Sequence, residues 1–401
     1  MFLTIGTVKK TITILVFSFV FYSCTPSPEK QIWQKGNLHT HSFWSDGNDF
    51  PEMIIQWYKK NDYQFIALSD HNTIADQEQW YPLSEKDFEN NVLEKYIASY
   101  GDWVETKTDS SKVLVRLKTF DEYRSKLEDP KRFLILKSEE VTSSYKNKPI
   151  HINVTNIQEK IEPVKGNSVV EVMQKTLDFV HEQRKKLGVP MFAHINHPNF
   201  GYGIHTEDMK KLNGERFFEL YNGHPAVNNG GNEEYDSTEI MWDLINIHYL
   251  EQGKPLLYGI ATDDSHHYHT LSPNLSNTGR GWVMVASDKL DAPSLIDAME
   301  KGEFYASTGI SLEKYTVSDH QISLALLPEE GVNYEISFIG YKMGAEGVQI
   351  LKKIQDTEGA YTFEDDDLFV RVKITSDAPK DSPPQTKEIK QAWTQPVLNK
   401  K

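Results

Sequence analysis

Along much of the chain, segments whose apolar residues recur at helical spacing are followed by short apolar runs. Pro51 to Lys60 places Met53, Ile54, Trp57 and Tyr58 at that spacing with Pro51 suited to a first turn, so it predicts a helix; Gln64 to Ser69 then reads as a buried strand. Ser168 and Glu171 carry a capping-box signature ahead of Val170, Met173, Leu177 and Val180, and Gly188 stops that helix before a strand over Pro190 to Ala193. Ser237 opens another helix, with Met241, Leu244, Ile245 and His248 on one side, which Gly253 stops before a strand from Leu256 to Ala261. Further short strands are expected at Phe133 to Lys137, Ile150 to Val154 and Phe217 to Leu220.

Strands alternating with helices imply a mainly parallel sheet, and six or more of them favour a barrel over an open doubly wound sheet. No glycine-rich dinucleotide fingerprint follows the first strand. The expected fold is therefore α/β, a distorted TIM-like barrel. From Asp76 to Ser111 the chain is polar, with one short helix expected near Phe88 to Tyr100. After Gly309 the pattern changes: Val332, Tyr334, Ile336 and Phe338, then Leu368, Val370, Val372 and Ile374, alternate with polar residues as half-buried strands do. A small β-rich, sandwich-like domain is expected over 310–401, after a barrel over 36–309.

The chain has 401 residues, room for a large catalytic domain and a smaller one. Its net charge of -15 argues against a long polyanion such as duplex DNA, so no nucleic-acid partner is expected; small anions need only a few local cations. Lys9 and Lys10 precede an apolar run from Ile12 to Tyr22 that is short for a bilayer span but suits a signal-peptide core. It ends at Cys24, the only cysteine in the chain, before a polar stretch with Pro26 and Pro28. This resembles a bacterial lipoprotein signal: residues 1–23 removed, Cys24 lipidated, 24–35 a linker, and the protein held in the cell envelope on a periplasmic or outer-membrane surface. Phe21 and Tyr22 depart from the usual small or aliphatic residues there. With one cysteine, no internal disulfide framework can form.

The polar residues that carry chemistry cluster at strand ends. His39 and His41 lie two apart, so on an extended segment both imidazoles project to one face, and Asp46 follows in a Ser45-Asp46-Gly47 turn. Asp70-His71 follows the second strand, Glu139-Glu140 another, and His151 opens the next. His194 and His197 end the strand after Gly188; Asp263, Asp264, His266 and His267 end the strand after Gly253. Gathered at one face of a barrel, so many carboxylates and imidazoles are tolerable only with cations among them. Nitrogen and oxygen ligands without cysteine suit zinc, manganese or iron.

In order along the chain, His39-Thr40-His41-Ser42 with Ser45-Asp46-Gly47, Ser69-Asp70-His71-Asn72, Glu140, His151, Asn196-His197-Pro198 and Asp264-Ser265-His266 resemble the motif set of the PHP (polymerase and histidinol phosphatase) family over roughly Gly36 to Gly309. The resemblance implies a distorted (β/α)7 barrel holding two or three divalent transition-metal ions. It assigns His39, His41, Glu140 and Asp264 to one ion, Glu140, His151 and His197 to a second, and Asp46, His71 and His266 to a third. The family's usual Ala-His-Pro is split here between Ala193-His194 and His197-Pro198, and the resemblance favours His197. Spacing to Thr142 and to His266 favours Glu140 over Glu139 and Asp264 over Asp263.

The expected activity is metal-dependent hydrolysis of a small phosphomonoester or phosphodiester outside the cytoplasm, through a hydroxide bridging the ions. Hydrolysis of a non-phosphate ester, lactone or amide, or an inactive metal-stabilised surface binding protein, are the alternatives. His194, His224 and His267 are candidate donors to the leaving group, and Arg280, between Gly279 and Gly281, is a candidate phosphate clamp. Glu219 and the Tyr221 to His224 turn are candidates to line the pocket.

Overall fold

The computed structural model describes residues 2, 3, 6, 31–382 and 387–400. Contacts divide the chain into Met1–Lys30 and Gln31–Lys401, and every helix and strand described belongs to the second. The expected signal peptide and Cys24 lie outside the described residues.

In chain order the elements are β1 (Trp33–Asn37), α1 (Pro51–Lys60), β2 (Phe65–Leu68), β3 (Gln79–Pro82), α2 (Glu85–Glu89), α3 (Val92–Tyr100), β4 (Thr106–Asp109), β5 (Lys112–Leu117) and α4 (Phe120–Leu127). Next come β6 (Leu134–Tyr145), β7 (Lys148–Thr155), α5 (Val169–Leu187), β8 (Phe192–Ile195), α6 (Thr206–Met209), β9 (Phe217–Asn222), α7 (Thr238–Glu251), β10 (Tyr258–Thr262), β11 (Trp282–Ala286), α8 (Ala292–Glu300) and β12 (Phe304–Ser307). The remaining strands are β13 (Leu312–Val317), β14 (Gln321–Leu326), β15 (Tyr334–Lys342), β16 (Gln349–Ile354), β17 (Glu358–Thr362), β18 (Asp367–Pro379), β19 (Ile389–Thr394) and β20 (Val397–Leu398).

Local signals act as expected at several boundaries. Pro51 opens α1, and the Ser168 and Ser237 hydroxyls accept the backbone N–H of Glu171 and Ile240 at the starts of α5 and α7. Gly188 ends α5 at φ 66°, the left-handed cap that glycine adopts without strain. In place of a closed capping box, the Glu171 carboxylate reaches the N–H of Asn167.

One large sheet runs β10-β9-β8-β7-β6-β2-β1-β11-β12-β19-β18-β15-β16. The pairs β1/β2, β2/β6, β8/β9 and β9/β10 are parallel, whereas β7 is antiparallel to both neighbours. The cause is local: β6 turns straight into β7 at Lys146-Asn147, with no crossover helix to make a parallel pair. Alternation along β2 sends Phe65 and Ala67 to a core shared with Leu134, Leu136, Phe192, Phe217 and Ile260, while Ile66 and Leu68 meet Ile54 and Ile55 of α1 on the other face. Convergence of inward residues from β2, β6, β8, β9 and β10 on one cluster shows that the sheet curves strongly.

The fold is mixed α/β with a large, mainly parallel sheet at the site, but the expected distorted TIM-like barrel is not found closed: among the described residues the paired strands form an open path. Between the ends of β10 and β1 there is one parallel bridge, Thr40 to Ser265, with hydrogen bonds from His41 N to Ser265 O (3.0 Å) and from Asp264 N to His39 O (3.1 Å).

Beyond β12 the chain does not leave the sheet: β19 pairs with β12, and β18, β15 and β16 follow. The separate three-stranded sheet β13-β14-β17 shares a core with it, built by Ile322, Leu324 and Leu326 against Ile336, Phe338 and Val372. Two buried polar contacts join this part to the rest. Arg371 makes a bidentate pair with Asp243 of α7, and the Gln395 side chain bonds both N and O of Gly259 in β10 at 2.9 Å each. The 76–118 segment also holds a three-stranded sheet, β3-β5-β4, where only a short helix was expected.

Candidate metal centre

The parallel strands deliver their C-terminal ends to one place. His39 and His41 follow β1, His71 follows β2, His197 follows β8, and Asp264 and His266 follow β10; Glu140 and His151 sit within the β6–β7 hairpin. An isolated bridge joins His71 to Glu140, so the end of β2 and the middle of β6 share a register. His197 and Asp264 hold φ of 20° and 49°, left-handed backbone in non-glycine residues, and both belong to the cluster.

Glu140 is the centre of the group and is fully buried. Its Oε2 lies 3.4 Å from His39 Nε2, 3.3 Å from His41 Nε2 and 2.8 Å from His71 Nδ1; its Oε1 lies 3.0 Å from His151 Nδ1 and 3.5 Å from His197 Nε2. Asp264 Oδ1 is 3.2 Å from both His39 Nε2 and His41 Nε2. At the open rim, the Asp46 carboxylate lies 3.6 Å from His71 Nε2 and 3.3 Å from His266 Nε2. These residues form overlapping groups able to hold ions: His39, His41 and Asp264; His39, Glu140 and His197; His71, Glu140 and His151; and His41, Asp46, His71 and His266.

The electrostatics fit cations. His39 Nε2, His41 Nε2, His151 Nδ1 and Glu140 Oε2 are buried and have no hydrogen-bond partner, although each faces another polar atom of the group. Four orphaned polar atoms aimed into one small space would be costly in an apolar interior, and divalent ions held in the overlapping groups would satisfy them. Burial pushes the Glu140 carboxyl up, but His71, His39 and His151 outweigh it and hold it well below the usual carboxylate range. Burial likewise works against Asp264, and His39, His41 and His266 keep it ionised. His41 is pushed down to about 3 by burial and by His266 and His71, whereas for His39, His71, His197 and His266 the neighbouring carboxylates outweigh burial and raise the rings, so an ion bound there would displace protons.

Surrounding groups fix the ligands. The Glu219 carboxylate meets His39 Nδ1 at 2.6 Å and also accepts from Thr262 Oγ1, Asn222 Nδ2 and the His197 N–H at 2.7–2.8 Å. It thereby turns His39 Nε2 toward the cluster, the usual job of a carboxylate behind a ligating histidine. Asn196 Nδ2 donates to Glu140 Oε1 at 2.8 Å, and His266 Nδ1 donates to the Asp264 carbonyl at 2.9 Å, leaving Nε2 free. Asp70 belongs to none of these groups and accepts from Ser42 N, Ser42 Oγ and Ser45 Oγ, holding the turn that presents Asp46. Gly47 is required there, since a Cβ would lie 2.4 Å from the His41 carbonyl oxygen.

The competing neighbours separate cleanly. Glu139 points to the opposite face of β6 and accepts the Ile161 N–H at 2.9 Å. Asp263 accepts from Tyr58 Oη and from the N–H groups of Gly279, Arg280 and Gly281, so it holds a loop. Two proposed roles need correction. The Arg280 guanidinium is committed to the carbonyls of Gly223, Ser272 and Leu275, tying three loops together instead of clamping a phosphate. His194, expected among the donors to the leaving group, is instead fully buried beside Glu219 (3.6 Å) and forms with Glu219 and His39 a further group able to hold an ion. His224 lies at the mouth, its ring 5.6 Å from that of His266. The role of Glu219 could be anticipated only as pocket lining: its partner is 180 positions away, and nothing local marks it.

No family model matches the chain, and no curated protein matches it. Among solved structures it is similar to a two-domain protein from Bacteroides vulgatus containing a predicted PHP-like metal-dependent phosphoesterase, at 13% identity and TM-score 0.37 over 86% of this chain and 90% of that one. It is also similar to a candidate metal-dependent phosphoesterase from Bifidobacterium adolescentis, at 11% identity and TM-score 0.30 over 62% of this chain and 94% of that one. A third likeness is to an amidohydrolase from Chromobacterium violaceum with bound sulfate and no metal, at 13% identity and TM-score 0.27 over 60% of this chain and 93% of that one. Likenesses of this depth bear on neither the ligands nor the reaction.

Proposed function

We propose that this chain is a metal-dependent phosphoesterase acting on a small phosphorylated molecule outside the cytoplasm, anchored to the cell envelope through lipidated Cys24. The observation that carries the reading is one buried carboxylate, Glu140, within 3.5 Å of five imidazoles. The ordered motifs that resemble the PHP family support phosphorus as the atom attacked, and the cysteine-terminated apolar leader supports export.

His39, His41, Glu140 and Asp264 would hold one ion, Glu140, His151 and His197 a second, and Asp46, His71 and His266 a third. When bound, such ions supply Lewis acidity, which neutralises phosphoryl oxygens and acidifies water. The chain's own groups do the rest. Asn196 and Glu219 hold Glu140 and His39 in fixed orientations, so little reorganisation accompanies reaction. Asp46, more than half exposed at the rim, leaves the cluster open on the side where substrate enters. His224 Nδ1 accepts the Ala226 N–H at 3.1 Å, which puts the ring proton on Nε2, where it would offer a hydrogen bond to a substrate bound at the mouth.

The test compares two neighbours. Glu140→Gln nearly preserves shape while removing the shared charge, and is expected to abolish hydrolysis of a generic phosphomonoester and to lower metal content with unchanged circular dichroism. Glu139→Gln, on the opposite face, is expected to keep both. A metal-loaded wild type that cleaved esters or amides but no phosphoester would overturn the reaction while leaving the centre intact.

A further inference from the structure

A cleft of about 680 Å³ opens directly beside His151 and Thr142 and runs outward along the β6–β7 hairpin. Its far side is the segment Pro163 to Gly166, pinned to the hairpin by a hydrogen bond from Val164 N to Ser143 Oγ at 2.9 Å. Lys146 and Lys165 are the only lysines that line it, and no arginine or carboxylate does. Both lysines are exposed, and neither forms an ion pair among the described residues; Lys146 lies only over the ring of its neighbour Tyr145. The acidic side chains nearest Lys165 along the chain are engaged elsewhere, Glu162 by Lys160 and Glu171 by Lys175, and those nearest Lys146, Glu139 and Glu140, are buried on the Ile161 N–H and among the cluster's imidazoles. In a chain of net charge -15, a cleft with two unpaired cations and no anion is a local reversal of sign.

Its hairpin backbone has a regular turn geometry. Lys146 and Asn147 hold φ of 48° and 64°, positive at both central positions of a two-residue hairpin turn, as a type I′ turn requires. The same two strands carry Glu140 and His151 near their middles, so the hairpin sets the backbone of Lys146 at a defined distance from the candidate metal centre. Four residue steps lead from Thr142 to Lys146, roughly 14 Å of extended chain.

We propose that this cleft binds a second anionic group of the substrate, so that the preferred substrate is a phosphoester carrying another phosphate or carboxylate several bonds from the reacting phosphorus. This rests on the phosphoesterase reading, and binding can be tested apart from turnover. The probes are hexane-1,6-bisphosphonate and hexylphosphonate, which differ only in the second anion and are not hydrolysed, titrated calorimetrically into the metal-loaded full chain.

The bisphosphonate is expected to bind about tenfold tighter. Combined Lys146→Ala and Lys165→Ala should remove that preference while leaving hexylphosphonate affinity, metal content and melting temperature unchanged. Equal affinity of the two probes for wild type, or a preference that survives the double substitution, would overturn the proposal. If the preference depends on the lysines but no phosphoester is hydrolysed, the cleft assignment stands and the reaction falls; if neither probe binds, both fall.

Discussion

His39 and Glu219 face each other across 2.6 Å, both sealed from solvent, with the imidazole Nδ1 against the carboxylate Oε1. The contact fixes which ring nitrogen of His39 is left for an ion. Glu219→Gln keeps the shape and loses the charge, and is expected to weaken metal affinity by about 10–100-fold with little change in secondary structure. Chelator competition measures the affinity. Unchanged metal binding would show that His39 is oriented by packing alone.

Glu215 supplies a pH prediction away from the cluster. It is buried with neither carboxylate oxygen hydrogen-bonded, and burial pushes its carboxyl up to about 8 from an ordinary 4.5. The folded chain therefore holds this proton more tightly than the unfolded one. The stability the group contributes is complete below 4.5 and is lost as pH rises through about 8. The melting temperature of Glu215→Gln, relative to wild type, should climb between about pH 5 and about pH 9. A difference that stays flat across that window would mean the carboxyl is not perturbed.

Arg371 and Asp243 form a buried bidentate pair between β18 and α7, with Nε–Oδ1 and Nη2–Oδ2 distances of 2.8 and 2.7 Å. Removing one partner leaves the other charge stranded. Asp243→Asn or Arg371→Met alone should cost about 3–5 kcal/mol in denaturant unfolding, and replacing both with apolar residues much less. Additive losses in that cycle would show that the two groups do not interact.

The lipid anchor rests on the sequence around Cys24. Mature wild-type protein is expected in the detergent phase, since several acyl chains hold a protein stably where one does so marginally. Cys24→Ser should move it to the soluble fraction. Continued membrane association of that variant would point to an uncleaved helical leader.

Elements with their own local signals were legible in the sequence. Pro51, Ser168, Gly188 and Ser237 mark helix ends within a few residues, and the two-residue spacing of His39 and His41 declares a shared face. What was not legible depends on distant partners. The antiparallel turn of β7 follows from a two-residue connection that spacing alone did not reveal. The open path of the sheet, and the continuation of its order through β12 into β19, depend on edge pairings between strands far apart in sequence. Arg280 shows the same limit: glycines on both sides do leave room for close approach, but loop carbonyls take the space instead of a ligand. Glu140 and Glu139 could be told apart only by motif spacing, whereas in the fold strand alternation sends them to opposite faces.

The Gln395 side chain closes on both N and O of Gly259, in the strand that ends at Asp263 and Asp264. Residues 389–395 are thus a late-arriving splint for the strand that presents a ligand. During synthesis, β10 emerges with about 130 residues still to come, and its central peptide has no lasting partner on that side until they follow. Completion of the strand that leads to Asp264 is thereby coupled to this segment, so a chain cut short before residue 389 is expected to hold its ligand cluster less firmly.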